Sequence, residues 1–281
     1  MLRNVLLLTW SYPPRNSSAS RRSGCFAKYL PEYGWYPVVV CPEWTPENCD
    51  YDVACVTNIP DVVEVAPVHY PDPGPLGLFA FLKSRARSPL LPAIGPGDYP
   101  EFAKKVIADL FKERQFSAIW ATSPNPVQHL LADWASRRWG VPWIADFRDI
   151  FGQFKKESLG QRLRLPFRVF QEKGLLRSAA EIVTHTDGVA QRLARRHGRA
   201  VHMIPNGFDP DGAAVLSGYP PAKLPRFNIT YTGILSHRNP RPVLDALARL
   251  IDGGHIDPTV VSVDLQPTST SRTVHRFQCL V

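Results

Sequence analysis

Short runs of β-branched residues and leucine alternate along most of the chain with longer stretches of helical periodicity, and this alternation restricts the fold more than any other property. Val5–Thr9, Val38–Cys41, Ala118–Thr122, Pro142–Phe147, Glu181–Thr186 and Val201–Ile204 read as strands. The first is almost continuously apolar, as expected of a parallel strand covered on both faces. Between them, Ala19–Tyr33 places Phe26, Leu30 and Tyr33 at helical spacing, and Asp98–Arg114 does the same with Phe102, Val106, Leu110 and Phe111. Helices are also predicted over Pro126–Trp139, 158–178 and Gly188–His197. Strand and helix in turn mean right-handed crossovers and an α/β chain with a doubly wound parallel sheet. In such sheets ligands bind beyond the carboxyl ends of the strands. The loops after Thr9, Thr122, Phe147, Thr186 and Ile204 are therefore where chemistry is expected.

The pattern weakens twice. Between 42 and 97 proline is frequent, and Pro71–Gly77 and Ser88–Gly97 read as surface loops. Residues 209–225 hold four prolines among small residues, a linker composition. The sequence thus divides into a first domain over 1–208, a linker over 209–225, and a second unit over 226–281 that starts afresh. In that unit Phe227–Thr232 reads as a strand, Gly233 as its turn and Pro240–Gly253 as a helix. The stretch from about Pro267 is polar and without clear period, so the second domain is expected to be incomplete.

Charge narrows the partners. The chain carries 33 Lys and Arg against 25 Asp and Glu, a formal +8. Residues 153–199 alone hold 11 basic and four acidic side chains, or +7. Such a stretch is either a solvated helical face or a patch for an anionic partner such as a membrane surface. Nucleic acid is not expected, because no binding motif accompanies the charge. No apolar run reaches the ~18–20 residues of a membrane span, and none has a cleavage site behind it. Five cysteines without a Cys-x-x-Cys pair point away from a disulfide framework or a zinc site. A cytoplasmic protein is expected, peripheral to the inner face of the cell membrane if the basic stretch binds lipid.

Four strand-end motifs occur in order. Tyr12-Pro13-Pro14 precedes a basic helix running to Lys28, and Ser123-Pro124-Asn125-Pro126 opens another. Pro142–Asp149 reads PWIADFRD, and Ile204–Asp209 reads IPNGFD ahead of a strand ending Tyr231-Thr232-Gly233. The ordered set, over roughly 1–250, resembles family 4 glycosyltransferases, especially those that build bacterial cell-surface polysaccharides. A nicotinamide dehydrogenase is not expected, since Gly-x-Gly-x-x-Gly is missing after the first strand.

The resemblance implies a GT-B fold, with a Rossmann-like acceptor-side domain followed by a Rossmann-like donor-binding domain, here incomplete. It implies a retaining, hexosyltransferase-type reaction that moves a sugar from a nucleotide sugar to a glycan or lipid-linked acceptor, with no metal and no cofactor. Asp149, Arg148 and His185, at strand ends, are the expected catalytic residues. A carboxylate at the cleft rim can take a hydroxyl proton or orient an acceptor, and a guanidinium can fork onto phosphate or carboxylate. His129, inside a helical pattern, is the weaker base candidate. Pro14, Arg21, Arg22 and Ser123 fall on the acceptor side, although Arg15–Ala19 lacks the glycines common in relatives. Asn206, Gly233, Arg238 and Arg241 fall on the donor side. The Glu-x7-Glu pair that grips donor in such enzymes has no match, for Glu181 is the last glutamate. A chain defective in transfer is therefore expected, or alternatively a non-catalytic acceptor- or membrane-binding remnant.

Overall fold

A computed structural model describes residues 3–52, 59–70, 98–123, 126–149, 170, 172–211, 225–233, 239–267 and 277–279. Two compact units are present, Met1–Ala213 and Ala214–Val281.

The first unit is built on a seven-stranded sheet. Its strands are β1 (Arg3–Thr9), β2 (Trp35–Pro42), β3 (Glu64–Val68), β4 (Ala118–Thr122), β5 (Trp143–Phe147), β6 (Glu181–Thr184) and β7 (His202–Met203). Their order is β3-β2-β1-β4-β5-β6-β7, and every pairing is parallel. Its helices among the described residues include α1 (Ser18–Tyr29), α2 (Tyr99–Glu113), α3 (Pro126–Trp139) and α4 (Asp187–His197). The doubly wound α/β sheet predicted from the sequence is present.

The continuous apolar character of β1 has a direct cause. Leu6 and Leu8 face one core, with Tyr99 and Ile107 of α2 and Leu131 of α3. Val5 and Leu7 face another, with Ala27 of α1 and Trp120 of β4. Successive side chains point to opposite faces, so both sets must be apolar. Each fully buried leucine contributes roughly 1.5–3 kcal/mol through removal from water.

Several boundaries differ from those the periodicity predicts. The first helix stops at Tyr29, because a 3-10 turn over Leu30–Tyr33 carries Pro31 and closes on Gly34 at φ 81. Strand β3 escapes the pattern because it is an edge strand with Val65 exposed and Pro67 within it; proline is tolerated there, where its missing N–H faces no partner. Strand β6 ends at Thr184, so His185 and Thr186 lie in the loop. The Pro71–Gly77 and Ser88–Gly97 loops, and most of the basic helix over 158–178, lie outside the described residues.

In the second unit, β8 (Phe227–Gly233) runs parallel to β9 (Val261–Pro267), joined by α5 (Arg241–Asp252), and β10 (Phe277–Cys279) adds antiparallel to β9. Strand β8 thus belongs to a separate sheet. The tail read as aperiodic contributes β10. Leu247 of α5 and Val263 of β9 are its buried side chains among the described residues.

Candidate active site

The carboxyl ends of β1, β4, β5, β6 and β7 share one edge of the parallel sheet, and a buried carboxylate organises it. Asp146, on β5, is fully buried. Its Oδ1 accepts from Arg22 Nη2 at 2.9 Å, and its Oδ2 from Arg22 Nε at 3.0 Å and Thr122 Oγ1 at 2.8 Å. Arg22 reaches it from α1, whose approach is helped by Gly24: a Cβ there would stand 3.2 Å from Pro13 Cγ. The remaining guanidinium nitrogen, Nη1, donates to Ile204 O at 3.0 Å and Asn206 Oδ1 at 3.0 Å, beyond β7. One arginine therefore joins α1, β5 and the segment after β7. Two charges this dry persist only because nearly every polar atom is satisfied.

Ser123 continues the network. Its backbone N–H donates to Asp146 O at 2.9 Å, and its buried Oγ accepts from the Arg148 N–H at 2.7 Å. The loops after β4 and β5 are thus tied together. Arg148 turns back to α1, where its Nη2 donates to Ser18 Oγ at 3.2 Å. Its Nε is buried with no hydrogen-bond partner among the described residues. Burial pulls its pKa below the usual arginine range and Arg22 pulls the same way, while Asp149 and Asp146 oppose. An arginine stays charged through such a shift. Asp149 beside it is exposed. His185, after β6, is half-buried, and its Nδ1 is also buried without a partner among the described residues.

The loops carrying Pro13, Ser123, Arg148 and His185 accordingly meet one sheet edge. Pro14 is half-buried and accepts at its carbonyl from the Asp52 N–H at 2.9 Å. Arg21 is exposed on α1, unlike its neighbour Arg22, whose guanidinium is committed to protein groups. Gly233 ends β8. Arg241 stands in the first turn of α5, where its Nε lies 3.6 Å from Asp245 Oδ2. Arg238 lies outside the described residues.

His129 is not at this surface. It is fully buried on α3, with Nε2 3.1 Å from Ala121 O and 3.2 Å from Asp146 O. Burial lowers its pKa to about 4 against the opposing influence of Asp146. A neutral imidazole donating from Nε2 is a packing group beneath the site. Sequence reasoning missed Asp146, although a carboxylate inside the apolar strand Trp143–Phe147 was the available signal. It also missed Lys28 and Tyr29, for which no local signal exists. Lys28 Nζ lies 2.9 Å from both oxygens of Asp209, and Tyr29 Oη donates to Asp209 Oδ1 at 2.9 Å. Burial would raise the Asp209 pKa, but the bonds from Lys28 and Tyr29 outweigh it and hold it below the usual range. No group of three His, Cys, Asp or Glu able to hold a metal occurs among the described residues.

A family model described as a glycosyl transferase 4-like domain matches residues 19–207, more than half of the chain and all of this edge except the first loop. The chain belongs to that family. No curated protein matches it. Among solved structures, the N-terminal domain of Candida albicans trehalose-6-phosphate phosphatase is similar at 13% identity and TM-score 0.59, covering 96% of this chain and 66% of that one. Thermosynechococcus elongatus sucrose-phosphate synthase is similar at 13% identity and TM-score 0.52, covering 93% and 70%. S. aureus MnaA, solved with UDP, is similar at 10% identity and TM-score 0.50, covering 96% and 63%. At such identities the likeness is one of fold, the GT-B arrangement of glycosyltransferases. No helix among the described residues of this glycosyl transferase 4-like chain is long and apolar enough to cross a membrane.

Proposed function

We propose that the chain supplies the acceptor side of a retaining, hexosyltransferase-type glycosyltransferase that moves a sugar from a nucleotide sugar to a glycan or lipid-linked acceptor in bacterial cell-surface polysaccharide synthesis. The observation that carries this reading is the contrast at the sheet edge. Arg22, Asp146 and Ser123 are fully engaged with protein, while Arg148 Nε and His185 Nδ1 remain unpaired among the described residues and Asp149 is exposed. A rigid scaffold holding unsatisfied polar groups is what orientation-driven catalysis requires. Asp149 would orient the acceptor hydroxyl, and Arg148 would neutralise charge on the acceptor or the departing diphosphate. The UDP held by the S. aureus neighbour supports a nucleotide donor.

The alternative reading is acceptor or membrane binding without transfer. The basic stretch 153–199 would hold the protein on an anionic membrane surface at its cytoplasmic side. Among the described residues Lys173, Arg177 and Arg192 are exposed, while Arg196 and Arg199 are bonded to Glu172 Oε1 and to the carbonyls of Leu176 and Ala180.

The test is nucleotide release from a panel of nucleotide sugars, with and without lipid-extract acceptors. Slow release that falls at least tenfold in both Arg148→Gln and Asp149→Asn is the expected result. Release indifferent to both substitutions refutes the assignment of this edge.

A further inference from the structure

The sheet edge also fixes the orientation of Asn206, and with it the chemistry of what that residue can bind. Arg22 Nη1 stands 3.0 Å from Asn206 Oδ1. A guanidinium has donors only, so the amide oxygen must face inward and the NH2 group outward. Asn206 itself is exposed. Oriented this way it turns its two N–H donors outward, while its oxygen is engaged by Arg22.

The segment around it is held at two points by one helix. Arg22 grips Ile204 O and Asn206, and Lys28 grips Asp209 and Asp211, with Tyr29 also on Asp209. Six residues of helix span about 9 Å at ~1.5 Å per residue. Three extended residues from 206 to 209 cover about 10 Å. The segment is therefore tied to α1 at two points, near Asn206 and at Asp209. The Arg22 anchor rests on the dry Asp146 pair, with side-chain exposures of 3% and 0%. A dry pair of this kind is poor value as stabilisation alone. As the support of an exposed side chain it sets an angle that a hydrophobic contact would leave loose.

We propose that Asn206 is a specificity-determining hydrogen-bond donor to a phosphate oxygen of a nucleoside diphosphate, and that Arg22 and Lys28 are positioning residues that hold it in that pose. This rests on the glycosyltransferase reading, which places a nucleotide near this edge. A phosphate oxygen accepts without donating, which suits the outward-turned N–H donors of this amide. The fixed pose lowers the entropy lost on binding.

The experiment titrates the full chain with UDP, followed by calorimetry and by the side-chain amide signal of Asn206. Asn206→Asp keeps the Arg22 contact, indeed charges it, but removes both N–H donors and sets a carboxylate against the phosphate. UDP affinity should fall at least tenfold with the thermal midpoint unchanged or raised. Lys28→Met touches no ligand; it should raise amide exchange across 204–211 about fivefold and weaken UDP by a similar factor, the scale of a part-exposed pair. Unaltered UDP affinity in Asn206→Asp overturns the donor role. Faster exchange in Lys28→Met without weaker UDP binding, or no change in exchange, overturns the positioning role. Absence of UDP binding by the unmodified chain overturns the proposal, while nucleotide release dependent on Arg148 would still stand for the broader function. Inorganic pyrophosphate in place of UDP separates phosphate recognition from nucleotide recognition: competition with UDP is expected, and UDP binding insensitive to pyrophosphate overturns the phosphate assignment.

Discussion

Replacing Asp146 with alanine isolates the energetics on which the site stands. The carboxylate accepts two hydrogen bonds from Arg22 and one from Thr122, and neither charged side chain is more than 3% exposed. Its removal leaves a guanidinium desolvated and unpaired. Breaking a buried pair from one side costs about 3–5 kcal/mol, a large part of the roughly 5–15 kcal/mol that holds a domain folded. For a unit of this size each kilocalorie shifts the melting midpoint by about 2–4 °C, so a fall of roughly 6–20 °C is expected. Removing both charges, in Arg22→Met with Asp146→Val, should cost less than Asp146→Ala alone, because no stranded ion remains. The assay is urea unfolding of the full chain, read by the fluorescence of Trp120 and Trp143 on the adjacent strands. A loss under about 1 kcal/mol in the single variant, or a double variant equal to the sum of the singles within ~0.5 kcal/mol, would refute the argument that this pair is dry and coupled.

Further outcomes follow from the same geometry. His129 has a folded pKa of about 4, below its unfolded value of about 6.5. The native state therefore binds fewer protons, and the stability present above pH ~6.5 is lost as pH falls through about 4, roughly 3 kcal/mol in all. A His129→Gln variant should show a flatter acid limb in unfolding measured from pH 7 to 4. If Lys173, Arg177 and Arg192 face a membrane, their change to Gln should weaken binding to anionic vesicles, and added salt should release the unmodified chain; co-sedimentation that ignores both makes the patch a solvated face.

The sequence by itself determined the layer architecture and the sheet edge on which the strand-end residues lie. Val5–Leu8 can be apolar at every position only where both faces are covered, and a parallel sheet puts all its strand ends on one side. The strand-end positions of Arg148, Asp149, Ser123 and His185 were legible because these residues closely follow such strands. Strand β3 was not, since an edge strand with Val65 exposed and Pro67 inside it has lost the pattern that marks burial. Only the tertiary structure decided which polar residues support the site and which are left free. Arg21 and Arg22 are adjacent in sequence and equal in chemistry, yet one is exposed and the other is spent on Asp146, 124 positions away. Helical rotation of about 100° per residue separates neighbouring side chains, and a partner so distant in sequence leaves no local mark. The pose of Asn206 has the same origin: it depends on where the packed core carries a guanidinium, which no spacing of letters encodes.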